Sequence, residues 1–301
     1  MSVFDTDSRL PFTSGVIAIA AAIGGAIAAI IAAALLPLSG LTFVFVLLAL
    51  GLLGLSGWLG YALYGYLRSS YAIDRNAFVV RWGASRVIVP MGDIQRVFPA
   101  DELADGLKLR RFPLAGWWRG AGRHPALGAL EFYSTQPVAN QIVVVTPDRN
   151  FVVSPYDTEA FLDAFKARFE MQPTQPVQFS ENAPAFLEWA FWRDRVAHVL
   201  IIAAFALNLG MFGVSLARYP SAPAQVPLHF NATGVADRLG SRTQMFTPAI
   251  VGLILLMASA GLGVLLYVRR EKLLAYLLWG GSVAVQAMFV VAAFTVAFSS
   301  L

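Results

Sequence analysis

Five stretches of this chain, 16–36, 41–64, 196–217, 247–268 and 273–298, contain no Asp, Glu, Lys or Arg. A helix needs about 20 apolar residues to cross a bilayer core of ~30 Å, so each stretch is long enough to be a membrane span. Thr13 and Ser14 precede the first as cap candidates, and Pro37 stops it. Only Pro37, Leu38, Ser39 and Gly40 separate the first from the second, which predicts a tight helical hairpin. Composition agrees: 57% of residues are hydrophobic and only 13% are charged, against about 25% charged in a soluble domain. The first run lacks the polar, small-residue cleavage region of a signal peptide and reads as a retained span. With no cysteine in the chain, a disulfide scaffold, a thiolate metal site and a cysteine nucleophile are excluded.

Lys and Arg mark the cytoplasmic side of a membrane protein when they lie close to span ends. Arg68 and Arg75 follow the second stretch, Arg193 and Arg195 precede the third, and Arg269, Arg270 and Lys272 fill the link between the fourth and fifth. These place the N-terminus and the region 67–195 in the cytoplasm and the C-terminus outside. Arg218, Arg238 and Arg242, in the loop 218–246, are the counter-signal. The expected localisation is the bacterial inner membrane.

After Ser70 the hydrophobic period changes. Phe78, Val80 and Trp82 alternate with Val79 and Arg81, as in a half-buried strand. Short β-rich runs at 71–75, 78–82, 87–89, 94–98, 129–133, 142–145 and 151–153 make seven strands. Asp157 then caps a helix to Phe169, with Phe161, Phe165 and Phe169 on one face. Tyr-Ala-Ile-Asp at 71–74, Phe-Val-Val-Arg-Trp-Gly at 78–83, Ile-Val-Pro at 88–90, Ile-Gln-Arg-Val at 94–97 and Phe-Val-Val-Ser-Pro at 151–155 resemble the bacterial PH-like domains over about 71–170. That resemblance implies a seven-stranded β-barrel with a C-terminal helix and implies no activity.

The loop after the third stretch carries Pro227, His229, Phe230, Asn231, Gly234, Asp237, Gly240, Ser241 and Arg242. Their spacing resembles the P-x-H-[FW]-N-x-x-G-x-x-D-x-x-G-[ST]-[KR] pattern of a bacterial membrane domain of unknown function, over about 200–270. That domain is found in bacteriocin-immunity and signalling membrane proteins. Asn231 and Asp237 suit caps or Asx turns, and Gly234 and Gly240 suit positive φ. A structural turn packed on the bilayer surface is one reading. A ligand-binding or proton-sensing site built on a His229–Asp237 pair is the other.

A basic, aromatic segment holds Lys108, Arg110, Arg111, Phe112, Trp117, Trp118, Arg119 and Arg123. It suits an anionic leaflet, a docked partner protein, or an ordinary loop whose tryptophans cover one end of the barrel. Phe186, Trp189, Phe191 and Trp192 beside Glu188, Arg193 and Arg195 suggest an interfacial amphipathic helix. Asn208 and Gln286 lie at similar depth in the third and fifth stretches, which predicts an interhelical hydrogen bond. Ala21, Gly25, Ala29 and Ala33, with Gly51, Gly54, Gly57 and Gly60, form small-residue faces that allow close helix approach.

Catalytic motifs are missing. There is no G-x-S-x-G, Walker loop or H-E-x-x-H, and His124, His198 and His229 have no metal-ligand spacing. The expectation is a five-span helical membrane protein with an inserted PH-like β-barrel. It divides into a hairpin over 1–67, a cytoplasmic PH-like domain over 68–172, a linker with the amphipathic helix over 173–195 and a three-span domain over 196–301. The expected role is a non-enzymatic scaffold or accessory subunit that docks a partner through the PH-like domain. The alternatives are a sensor or immunity-type protein acting through its outside loop and, more weakly, a transporter. Expected partners are the lipid bilayer and a protein or a second copy of the chain, with no nucleic acid, metal or cofactor.

Overall fold

A computed structural model describes residues 1–103, 107–171, 173–182, 189–231 and 236–298. In chain order the elements are β1 (Ser2–Asp5), α1 (Arg9–Leu35), α2 (Gly40–Leu67), β2 (Ser69–Ile73), β3 (Ala77–Trp82), β4 (Ser85–Pro90), β5 (Arg96–Pro99), β6 (Lys108–Arg111), β7 (Trp118–His124), β8 (Gly128–Ser134), β9 (Ile142–Val145), β10 (Asn150–Val153), α3 (Thr158–Phe169), β11 (Ser180–Asn182), α4 (Arg195–Arg218), β12 (Gln225–Phe230), β13 (Ala236–Ser241), α5 (Thr247–Val268) and α6 (Lys272–Phe298). The chain divides into two compact units, one of residues 1–23 with 53–185 and the other of 24–52 with 186–301.

Five helices are long and apolar enough to cross a membrane. Their side chains are largely unburied: Ile17, Ile27, Leu50, Ile202, Ile254 and Val291 are among many large apolar residues left exposed. Water would penalise that surface by roughly 25 cal/mol per Å², whereas lipid tails accept it. The first helix begins earlier than its apolar run suggests. Asp7, not Thr13 or Ser14, meets the helix start, accepting from the Arg9 N–H at 3.1 Å. Thr13 instead donates back to the carbonyls of Arg9 and Leu10. Pro11 is tolerated because a first-turn N–H has no partner inside the helix.

All seven expected strands form, but they do not close a barrel among the described residues. They fall into two sheets of order β1-β2-β3-β4-β11 and β5-β9-β10-β8-β7-β6. A 3-10 turn at Met91–Asp93 carries the chain from one sheet to the other, so β4 pairs with β11 and β5 with β9. Four further strands are present. β1 zips antiparallel onto β2 and places Phe4 5.3 Å from Phe161. β6 and β7 form an antiparallel pair within the segment read as a basic loop. β11 extends the first sheet. Residues 173–182, expected as linker, thus fold back on the domain. Asn76 Oδ1 fastens them by accepting from the N–H groups of Thr174 and Gln175 at 2.8 and 3.2 Å.

The core lies between these sheets and α3. Tyr71, Phe78, Val80, Tyr133, Phe151 and Phe161 are all buried in it. The Tyr71 hydroxyl donates to the Tyr133 carbonyl and accepts from the Ser154 N–H at 3.1 Å. Asp157 caps α3 as expected, accepting from the Ala160 N–H at 2.9 Å. Phe161 and Phe165 face inward, while Phe169 is exposed.

In the second unit, α4, α5 and α6 are joined by amides. Asn208 Nδ2 donates to Gln286 Oε1 at 3.1 Å and to the Ala249 carbonyl at 3.0 Å. Gln286 Nε2 donates to the Gly252 carbonyl at 2.7 Å. A Cβ on Gly252 would stand 2.8 Å from Gln286 Oε1, so glycine there opens the space for the clamp. Asn208→Ala is expected to destabilise this three-helix unit by about 1–2 kcal/mol, seen as a lower melting temperature in mild detergent. Melting at the wild-type temperature would mean the orphaned amide and carbonyl find equivalent partners.

Candidate functional site

The sequence offers two candidate surfaces, and the structure treats them differently. The basic segment is spent largely on internal contacts. Trp117 is buried: its indole N–H donates to the Pro11 carbonyl at 3.1 Å, and its ring lies 4.9 Å from that of Tyr66. Leu59, Leu63 and Tyr66 from α2 complete this cluster, with Phe112 and Leu114 packed against it. Gly116 makes the approach possible. It has φ +77°, and a Cβ there would fall 2.6 Å from Pro11 Cδ. Ser14 adds a hydrogen bond to the Ala115 carbonyl at 2.7 Å.

The arginines follow the same logic. Arg111 places its guanidinium 4.1 Å from the Trp118 ring centre and donates to the carbonyls of Phe112 and Leu114. Arg119 lies 3.8 Å from the Tyr133 ring centre and donates to the Phe132 carbonyl. Burial pushes the Tyr133 hydroxyl up to about 12 against the opposing pull of Arg119. Trp117 and the Arg119 backbone N–H, which donates to the Tyr66 hydroxyl at 3.0 Å, therefore brace the β domain against the ends of α1 and α2, while Arg111, Trp118 and the Arg119 guanidinium are engaged within the β domain. Of the five residues expected to form a docking or membrane-surface loop, Arg110 alone is exposed without such a role. Arg111 and Trp118 find their partners within the same segment, Arg119 finds its own on the next strand, and Trp117 reaches the remote Pro11 carbonyl.

The second surface, between α4 and α5, is a β12–β13 hairpin. Val226 and Pro227 are buried at its base. The Gln244 and Leu228 side chains pack into the space that a Cβ on Gly240 would take. Arg242 stacks 4.5 Å from the Tyr219 ring centre, and its N–H donates to the Ala224 carbonyl at 3.0 Å. The register sets His229 opposite Arg238, with irregularities on both sides, and Asp237 is the additional residue between Arg238 and Ala236. The backbone thus pairs His229 with Arg238 and not with Asp237. The side chain of His229, and Gly234 altogether, lie outside the described residues, as do Phe186 and Glu188 of the expected amphipathic helix. What is described of that helix is a 3-10 turn at Ala190–Arg193.

Two features escaped the sequence reading. The first is a polar node at the start of α4. Asp194 caps the helix through the N–H groups of Val196 and Ala197, and its other oxygen accepts from the hydroxyls of Tyr267, at 2.7 Å, and Tyr276. Hydrogen bonds from Tyr276 and Tyr267 hold the carboxyl well below the usual range, at about 2. Phe191, Tyr267 and Trp279 pack beneath it. An Asp before a helix is a visible cap signal, but the two tyrosines come from remote segments.

The second is a groove on the β domain, about 300 Å³, lined by Arg96 and Val97 of β5 and by Leu162, Phe165, Lys166 and Phe169 of α3. β5 ends its sheet, so among the described residues one side of its backbone is unpaired by another strand. Phe169, 53% exposed, and Met171, 49% exposed, extend the apolar surface. At the opposite edge β6 reads Lys-Leu-Arg-Arg, the charge guard that discourages strand addition.

Comparison with known families agrees with this division. A family model described as Bacterial PH domain matches residues 69–169. A second, described as Domain of unknown function (DUF1648), matches residues 206–253, which include the β12–β13 hairpin. No curated protein and no solved structure matches the chain. The protein is thus a membrane protein carrying a PH-like domain and a domain of that unknown-function family.

Proposed function

We propose that this protein is a non-catalytic scaffold or accessory subunit of a bacterial inner-membrane complex, and that its PH-like domain holds a partner in the cytoplasm. The observation that carries the reading is the open edge of β5 beside the apolar groove of α3. An extended segment of a partner adds main-chain hydrogen bonds to such an edge and places alternate side chains in the adjoining groove. Pro99 limits the available edge to the first residues of β5. Val97, Leu162 and Phe169 favour an apolar side chain there, and Arg96, Lys166 and Glu170 flank it with charge. The arginines next to the membrane ends of α2, α4 and α5 support the cytoplasmic placement. Arg218 and Arg242 lose weight as the opposing signal because they stack on Phe298 and Tyr219.

The test is purification of the tagged protein from its native membrane in mild detergent, with mass spectrometry of what accompanies it. A partner in fixed ratio, lost in Phe169→Asp and retained in an Arg123→Gln control, is the expected result. Phe169 is exposed, so the substitution leaves the core intact. A partner retained in Phe169→Asp would move docking to another surface. A lone protein or a self-oligomer would sink the subunit reading and turn attention to the hairpin, where a sensing or immunity-type role would act.

A further inference from the structure

Within the second unit, α5 and α6 leave a groove of about 400 Å³ between them, lined by Ser259 and Leu262 of α5 and by Leu278, Gly281, Ser282 and Val285 of α6. Ser282 is 8% exposed, and among the described residues its hydroxyl has no hydrogen-bond partner. A Cβ on Gly281 would meet nothing within 4 Å. Ser282 lies ten residues after the start of α6 at Lys272, about 15 Å along the helix. That is the middle of a bilayer core of ~30 Å, where an acyl chain fills volume but offers no hydrogen-bond acceptor. The groove therefore suits a helix that packs closely enough to present a backbone carbonyl. The same unit already uses this device: glycine at position 252 lets the Gln286 amide reach the Gly252 carbonyl at 2.7 Å.

The chain carries a helix face of that kind on α2. Leu50, Gly54, Gly57 and Tyr61 recur there at the helical period, and all four are exposed. A Cβ on Gly54 or Gly57 would meet nothing within 4 Å, so the face is unfilled within one copy. Five crossings put the end of α2, the end of α5 and the start of α6 on one side of the membrane. Gly57 lies ten residues before the end of α2 at Leu67, so Gly57 and Ser282 share one depth. Small residues on facing helices let the backbones approach, and a hydroxyl then bonds across the contact. We propose that the α5–α6 groove receives α2 of a second copy of this chain, with Gly54 and Gly57 against Gly281 and the Ser282 hydroxyl donating to an α2 carbonyl. The contact uses neither the β5 edge nor its groove, so a dimer that carries a partner in fixed ratio satisfies both readings.

A chain without cysteine makes the test direct. Tyr61 lies six residues before Leu67, and Leu278 six residues after Lys272. Tyr61→Cys and Leu278→Cys, on differently tagged full-length copies expressed together, should form a mixed disulfide dimer when native membranes are oxidised. In the control, Ile202→Cys replaces Leu278→Cys. Ile202 is exposed on α4, seven residues after Arg195 and outside the groove, and its yield should be at least tenfold lower. G54L/G57L should abolish the dimer. Its monomer should melt at the wild-type temperature, because both Cβ positions are open. Ser282→Ala, which removes only the hydroxyl, should raise the dimer dissociation constant in detergent by about 3–10-fold. A wild type that is monomeric in native membranes would overturn the proposal. So would Y61C that joins only a different protein, or G54L/G57L that dimerises as wild type does.

Discussion

Replacing Trp117 by alanine is expected to destabilise the β-domain unit by about 3–5 kcal/mol, the range for removing a large buried aromatic side chain. The ring fills the space between Leu59, Leu63 and Tyr66 of α2 and the β7 end of the domain. Its loss leaves a cavity and strips the Pro11 carbonyl of its indole donor. For a unit of this size the melting temperature should fall by roughly 6–20 °C. Proteolysis in increasing urea, followed by mass spectrometry of fragments from 108–134, would localise the loss to β6, β7 and β8. Arg110→Ala, on an exposed residue, should stay within about 0.5 kcal/mol of wild type. The pair separates two roles for the segment. If Trp117→Ala melted like wild type yet lost a co-purifying partner, the segment would be a docking surface after all.

Asp194→Ala is the second large effect, about 2–4 kcal/mol on the helical unit. Losing the cap of α4 contributes about 1 kcal/mol. The hydroxyls of Tyr267 and Tyr276 lose an acceptor, at about 0.5–1.5 kcal/mol for each bond. Each bond stays below the value for a fully buried charged acceptor because the carboxylate is partly exposed and water can replace it. Asp194→Asn keeps a capping oxygen and should lose less than half as much. Because the folded-state pKa is depressed to about 2, the stabilisation is complete above the ordinary aspartate value near 4 and drains as pH falls toward 2. The melting-temperature gap between wild type and Asp194→Asn should therefore be flat from about pH 5 to 8 and close below about pH 4. A gap that closed between pH 6 and 8 would assign the effect to another group.

Much of the architecture was readable from local pattern. Asp157 before Thr158 announced the cap of α3, and alternation at 78–82 announced β3. Asn208 and Gln286, isolated amides in apolar helices, predicted their own hydrogen bond because hydrocarbon provides no other partner. β1, β6 and β7 were not readable. Ser2–Asp5 is four residues long and acquires strand geometry only by pairing with β2. β6 and β7 carry Arg, Lys and Gly where strand propensity favours branched and aromatic residues, and the ladder to β8 overrides that preference. The expected barrel failed for a related reason. Seven strands can be counted from periodicity, but which edges meet depends on the turn at Met91–Asp93 and on a late strand, β11.

The candidate surfaces divide in the same way. Pro227, Gly240 and Arg242 were singled out from spacing, and the structure gives each a packing or hydrogen-bonding role in the hairpin. The groove beside β5, the two tyrosines that meet Asp194 and the facing arginines at 81 and 86 left no local signal. What the sequence by itself determined is which solvent each stretch meets: uncharged runs of about 20 residues belong in lipid, and alternating runs line a half-buried sheet. What only the tertiary structure decided is which distant residues share a site. A hydropathy period reports the face on which a side chain lies, whereas the burial of Trp117 and the opposition of Arg81 to Arg86 depend on contacts and registers that form only when the chain closes on itself.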